Sequence, residues 1–201
     1  MKKARLQTSL SILLLVTLFA ILAKAQEPAK PSIANAPEAK PESWQKFTST
    51  EGRFSVEFPG SPTPSTQAAG PSQNVTLQMY SLATSAAYGV SYFDSASTDE
   101  GPDAAKKVLD LSVQGVIKDY GSEQLNVTET VVQGYPGRLL TKRLANGYTL
   151  RVKIVLVGTR QYQITCVLPK QETLGAENVS LYESAVNRFL DSFTLILNPK
   201  S

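Results

Sequence analysis

The residues of this chain best placed to act together are four cations on two neighbouring stretches. Arg138 and Lys142 lie in GRLLTKRLANG, and Arg151 and Lys153 in YTLRVKIVL. Between them stands Asn146-Gly147, the strongest two-residue hairpin signal in the sequence. A two-residue turn there sets Lys142 opposite Arg151, Leu140 opposite Lys153, Arg143 opposite Leu150 and Thr141 opposite Val152. The four cations are then expected on one sheet face with no carboxylate between them. Like charges directly opposite destabilise a strand pair unless water or an anion is close. A solvated sheet face is the ordinary reading, and a docking patch for an acidic protein or envelope partner is the sharper one.

Other reactive groups are sparse. The 201 residues contain no histidine, which excludes Ser-His-Asp and Cys-His nucleophiles and the common zinc sites. Ser55, Ser81 and Ser91 lie in strand-like runs with no base at motif distance. Cys166 is the only cysteine, so no disulfide forms within one chain. A three-residue loop, Gly158 to Arg160, places Leu156 opposite Tyr162, Ile154 opposite Ile164 and Val152 opposite Cys166. The thiol is therefore expected in an apolar ladder, buried and inert.

Asp94, Asp99, Glu100 and Asp103 offer oxygen ligands of the kind a hard cation takes, but their spacing matches no calcium loop. Carboxylates at a helix start answer the helix dipole instead. Tyr135-Pro136-Gly137-Arg138 reads as a type II turn, without the lysine and helix of a phosphate loop. No metal and no cofactor is expected, and no catalytic residue is identified.

The elements that hold these residues follow from periodicity. Phe54, Val56 and Phe58 alternate with polar residues up to the Pro59-Gly60 turn, which makes a short strand, and Pro59 to Pro64 are expected to lead the chain away from the sheet. Strands are predicted over Val75 to Leu82 and Tyr88 to Phe93, then over Gln124 to Val132, Arg138 to Leu144, Thr149 to Val157 and Gln161 to Leu168. Ala105, Leu109, Val113, Val116 and Tyr120 recur at helical spacing after Pro102, and Tyr182, Val186, Phe189 and Phe193 form the stripe of a closing helix. Hairpin-linked strands with one interrupting and one closing helix define an α+β class: a mainly antiparallel sheet of about six or seven strands flanked by helices.

The ends bound the compartment. Lys2, Lys3 and Arg5 precede an apolar run, Leu10 to Leu22, and the small-residue pattern Ala23-Lys24-Ala25. Residues 1 to 25 are read as a secretory signal peptide, too short in its apolar part for the roughly 20 residues of a membrane span. Residues 26 to 43, rich in proline and alanine, form a spacer, and 44 to 198 a single domain. Removing the signal takes four cations and no acid, leaving 16 Lys and Arg against 17 Asp and Glu. Global charge then gives no argument for nucleic acid or a membrane surface. The mature chain is expected in the periplasm or outside the cell, without a membrane span.

Taken together, WQKFTSTEGRFSVEFPGSP, VSYFD, GYPGR, NGYTLRVKIVLVGTRQYQI and RFLDSF resemble exported bacterial proteins of unassigned function with the PsbP-like α/β/α sandwich. That is the fold of an extrinsic photosystem II subunit and of a small Ran-binding nuclear protein. The resemblance covers 44 to 197. It implies a non-enzymatic binding or adaptor module that docks onto a larger assembly, and supplies no functional residues. A small-ligand carrier with a cavity between helix and sheet is the alternative, and a carboxylate-only hydrolase the less favoured one, because Glu57 and Glu129 stand alone on their strands.

Overall fold

The computed structural model describes residues 43–69, 75–94, 102–121, 125–170 and 175–197. Its elements run β1 (Gln45–Ser49), β2 (Phe54–Phe58), β3 (Thr63–Ala69), β4 (Val75–Ala83), β5 (Ala87–Asp94), α1 (Pro102–Tyr120), β6 (Leu125–Val132), β7 (Tyr135–Arg143), β8 (Thr149–Val157), β9 (Arg160–Leu168), α2 (Ala176–Ser192) and β10 (Thr194–Leu195). The expected α+β class is what the chain adopts. β3 to β9 build a seven-stranded sheet in the order β3-β4-β5-β9-β8-β7-β6, and β1, β2 and β10 a second sheet of three strands. Every pairing is antiparallel.

Two apolar cores hold three layers together. Leu109, Val113 and Val116 of α1 pack on Leu140, Val152 and Ile154 of one sheet face. On the other face, Phe54, Val56 and Phe58 of β2 meet Val186, Phe189 and Leu190 of α2 over Tyr88, Tyr162 and Ile164. Because both faces of the central strands are covered, β8 and β9 are buried along most of their length instead of at alternate positions.

Three expected turns are corrected. At Asn146-Gly147 the loop is not a two-residue turn. The Gly147 N–H donates to the Leu144 carbonyl and the Leu144 N–H to the Tyr148 carbonyl, which makes Ala145, Asn146 and Gly147 a three-residue loop. Gly147, at φ +87°, takes the left-handed position that closes such a loop. The pairing therefore slips by one residue: Lys142 faces Leu150, Thr141 faces Arg151, Leu140 faces Val152 and Leu139 faces Lys153.

The β8–β9 loop moves the other way, to two residues, because Gly158 at φ +59° suits the first central position of a tight hairpin. Val157 faces Arg160 and Ile154 faces Gln163. The turn expected at Tyr135 to Arg138 is instead at Gln133-Gly134, where both φ values are positive, and Pro136 lies within β7. Pro136 is tolerated there because it precedes the first β7–β8 pair, Gly137 with Val155.

Candidate functional site

Strand alternation now separates the four cations. Arg138 and Lys142 share the α1 face with Leu140 and Leu144, whereas Arg151 and Lys153 project to the α2 face. The single row of exposed charge anticipated above is not formed. A one-residue slip on β7 against β8 moves one pair of cations to the other face.

Each pair meets a helix. Arg138, 7% exposed, donates through one guanidinium nitrogen to the carbonyl of Gly137 and through another to Asp110 of α1 at 3.1 Å, with Glu129 of β6 at 3.4 Å. Lys142 is 3% exposed, and its Nζ ends 4.0 Å from where a Cβ on Gly121 would stand, just past the last residue of α1. On the other face Arg151 donates to Glu183 at 3.0 Å and to Asn187 at 2.9 Å, both on α2. Lys153, 8% exposed, donates to the carbonyl of Leu190 at 2.6 Å and to Asp191 at 3.1 Å. Both lysines thus lie at helix C-termini, where unpaired carbonyls and the negative dipole end favour a cation. The carboxylates missing from the two strands are supplied by the helices, which linear spacing does not show.

A further node was not anticipated. Arg160, at the start of β9, grips both oxygens of Asp94 at 2.7 and 2.6 Å and donates to the Glu51 carbonyl at 2.9 Å. Its guanidinium lies 4.9 Å from the centre of the Tyr92 ring, and the Tyr162 hydroxyl donates to the Gly52 carbonyl at 2.8 Å. Together these fasten the β1–β2 turn onto the large sheet. The hydrogen bonds from Arg160 hold the Asp94 carboxyl below its ordinary value. Burial first, then the neighbouring Tyr80 and Glu51, push the Tyr92 phenol up to about 12. Only the extended run around Asp94 and the cation beginning β9 hinted at this contact. Asp99 and Glu100 lie outside the described residues, and Asp103 stands in the first turn of α1.

Cys166 is buried between the sheet and α2, opposite Arg151 on β8 and Tyr88 on β5. Burial pushes its thiol well above the usual range, against the opposing influence of Arg151 and Lys153. Among the described residues no group of histidine, cysteine and carboxylate side chains is gathered as a metal cluster, and no helix is long and apolar enough to cross a membrane.

No family model matches the chain, and no curated protein matches it in sequence. Solved structures do. The chain is similar to cyanobacterial PsbP from Synechocystis sp. PCC 6803, at 10% identity and a TM-score of 0.46, over 81% of this chain and 98% of that one. It is also similar to a protein of unknown function from Pseudomonas aeruginosa, at 12% identity and a TM-score of 0.38, over 78% and 99% of the two chains. A protein from Bacteroides thetaiotaomicron matches at 13% identity and a TM-score of 0.37, over 75% of this chain but only 47% of that protein. The expected likeness to a PsbP structure is therefore found among solved folds.

What the described geometry offers a partner differs from what the charges suggested. Arg138, Arg151, Lys153 and Arg160 bind the protein's own helices, turns and carboxylates, and Cys166 is out of reach. The most exposed large apolar side chains include Val131 on β6, Leu181 on α2 and Leu111 on α1.

Proposed function

We propose that this chain is an exported, non-enzymatic binding module that docks onto a protein or envelope partner. The observation that supports it is the commitment of the chemically capable side chains to the fold, while β6 offers β-branched side chains and, among the described residues, backbone that no strand receives at the rim of the sheet. A cation held against a helix end stabilises a layer; a substrate would have to compete with that carbonyl for it. The cationic start, apolar run and small-residue pattern at the N-terminus support the export.

The reading is tested by expressing the chain with its N-terminus intact in a bacterial host, fractionating the cells and crosslinking in place. Recovery outside the cytoplasm, shortened to begin near Gln26 and joined to another polypeptide, is the expected result. Cytoplasmic recovery with Met1 retained overturns the export, and a chain found free under every crosslinking condition overturns the module.

A further inference from the structure

We infer that β6 is a self-pairing edge, on which two copies of this chain join β6 to β6 antiparallel about a two-fold axis at Thr128, fusing their two large sheets into one. The inference rests on the binding-module reading and deepens it by naming the partner as a second copy.

The backbone sets which groups are available. The tight Gln133-Gly134 turn, with φ of +49° and +88°, makes Val132 and Tyr135 the closing hydrogen-bonded pair of the β6–β7 hairpin. Going back along β6, the N–H and C=O groups of Val132, Thr130, Thr128 and Asn126 then face β7. Those of Val131, Glu129, Val127 and Leu125 point away from the sheet, and among the described residues no strand receives them. Of the usual guards this edge carries one, the exposed carboxylate of Glu129. β6 carries no lysine and no proline, whereas β3 at the opposite edge is short-chained and polar with Pro64 in it. Val131 is 68% exposed and Val127 37%.

Charge chooses the register. An antiparallel partner must set outward residues against outward residues. Centring the pair on Glu129 puts that carboxylate opposite the partner's Glu129, which is repulsive. Centring on Val127 leaves Val131 uncovered. Centring on Thr128 sets Val127 against the partner's Glu129 and Leu125 against the partner's Val131, so the most exposed side chain of the strand is covered at both ends of the interface. On the other face Thr128 meets the partner's Thr128 and Asn126 the partner's Thr130, pairs able to share hydrogen bonds. Each Glu129 keeps its own Arg138 beside it.

The test uses the purified exported chain, beginning near Gln26. T128C carries the one accessible thiol, because Cys166 is buried. It stands opposite itself at the close, non-hydrogen-bonded spacing that a disulfide accepts. Mild oxidation is expected to link T128C into a covalent dimer at least about tenfold faster than E129C, whose opposite residue is the partner's Val127. By light scattering at ~100 µM the unmodified chain should be dimeric, and V131P, which deletes only an outward N–H, at least about tenfold weaker with unchanged circular dichroism.

A monomeric chain at that concentration, or equal linking of T128C and E129C, overturns the self-pairing. If either of these occurs while crosslinking in cells still joins the chain to a different polypeptide, the second copy is refuted and the binding module stands.

Discussion

Replacing Lys153 by methionine tests whether the buried cations serve the helices. Lys153 donates to two acceptors of unequal worth. Asp191 is 76% exposed, so its share of the ion pair is screened and worth about 0–1 kcal/mol. The Leu190 carbonyl lies in the last turn of α2 with no later N–H of the helix to donate to it, and the charge-assisted bond to it at 2.6 Å is worth about 1.5–3 kcal/mol. Methionine keeps the stem volume, so little cavity cost is added. Relief from burying an ammonium offsets part of the loss. K153M is therefore expected to destabilise by about 1–2 kcal/mol and D191N by no more than about half as much. For a domain of this size that is a fall in Tm of about 2–8 °C for K153M, read by thermal and urea unfolding followed by circular dichroism. A K153M protein as stable as the parent or more so refutes the reasoning, since the buried charge would then be a net cost. Equal effects of K153M and D191N refute it too, by placing the energy in the ion pair.

Three further outcomes follow from the geometry. The Asp94 carboxyl, held low by Arg160, contributes stability that is present above its unfolded value near 4 and lost as pH falls through the folded value; D94N should flatten the acid limb of a stability–pH curve below about pH 4. Tyr92 and Tyr120, both pushed up to about 12 chiefly by burial, contribute stability present below about pH 10 and lost as pH rises toward 12, so their phenolate absorbance should appear only after the exposed tyrosines have ionised. Cys166 should resist a thiol reagent in the native protein and react completely in denaturant, and modification at native rates of a free thiol would contradict its burial.

The elements were legible in the sequence wherever a strong period ran unbroken. The stripes Leu109–Val113–Val116 and Val186–Phe189–Phe193 located both helices, because only a 3.6-residue repeat brings those side chains onto one face. β4, β5, β8 and β9 were visible for the same reason at period two. β1 and β3 were not. β3 reads TPSTQAA, with no alternation and an internal proline, and its strand form comes from seven pairs with β4, a tertiary contact that local preference does not encode. β1 is five residues long and is made a strand by its hairpin with β2.

The proposed cationic site failed at a finer level than the elements. Asn146-Gly147 marks a hairpin under either loop length, but glycine at φ +87° serves as the closing residue of a three-residue loop as readily as the second of a two-residue one. The choice changes pairing by one residue, and in a sheet one residue is the difference between two faces. Had both faces not been covered, a slip would merely have exchanged solvent neighbours. Here α1 lies over one face and α2 over the other, so the slip sends Arg138 and Lys142 to one helix and Arg151 and Lys153 to the other, where Asp110, Glu183, Asp191 and the Leu190 carbonyl wait. The chain can therefore keep four cations on two adjacent strands without like-charge repulsion, since each pair finds its opposite charge or dipole in a different layer. The proposed partner surface is therefore sought outside these four residues, at β6, whose outward backbone no strand receives among the described residues.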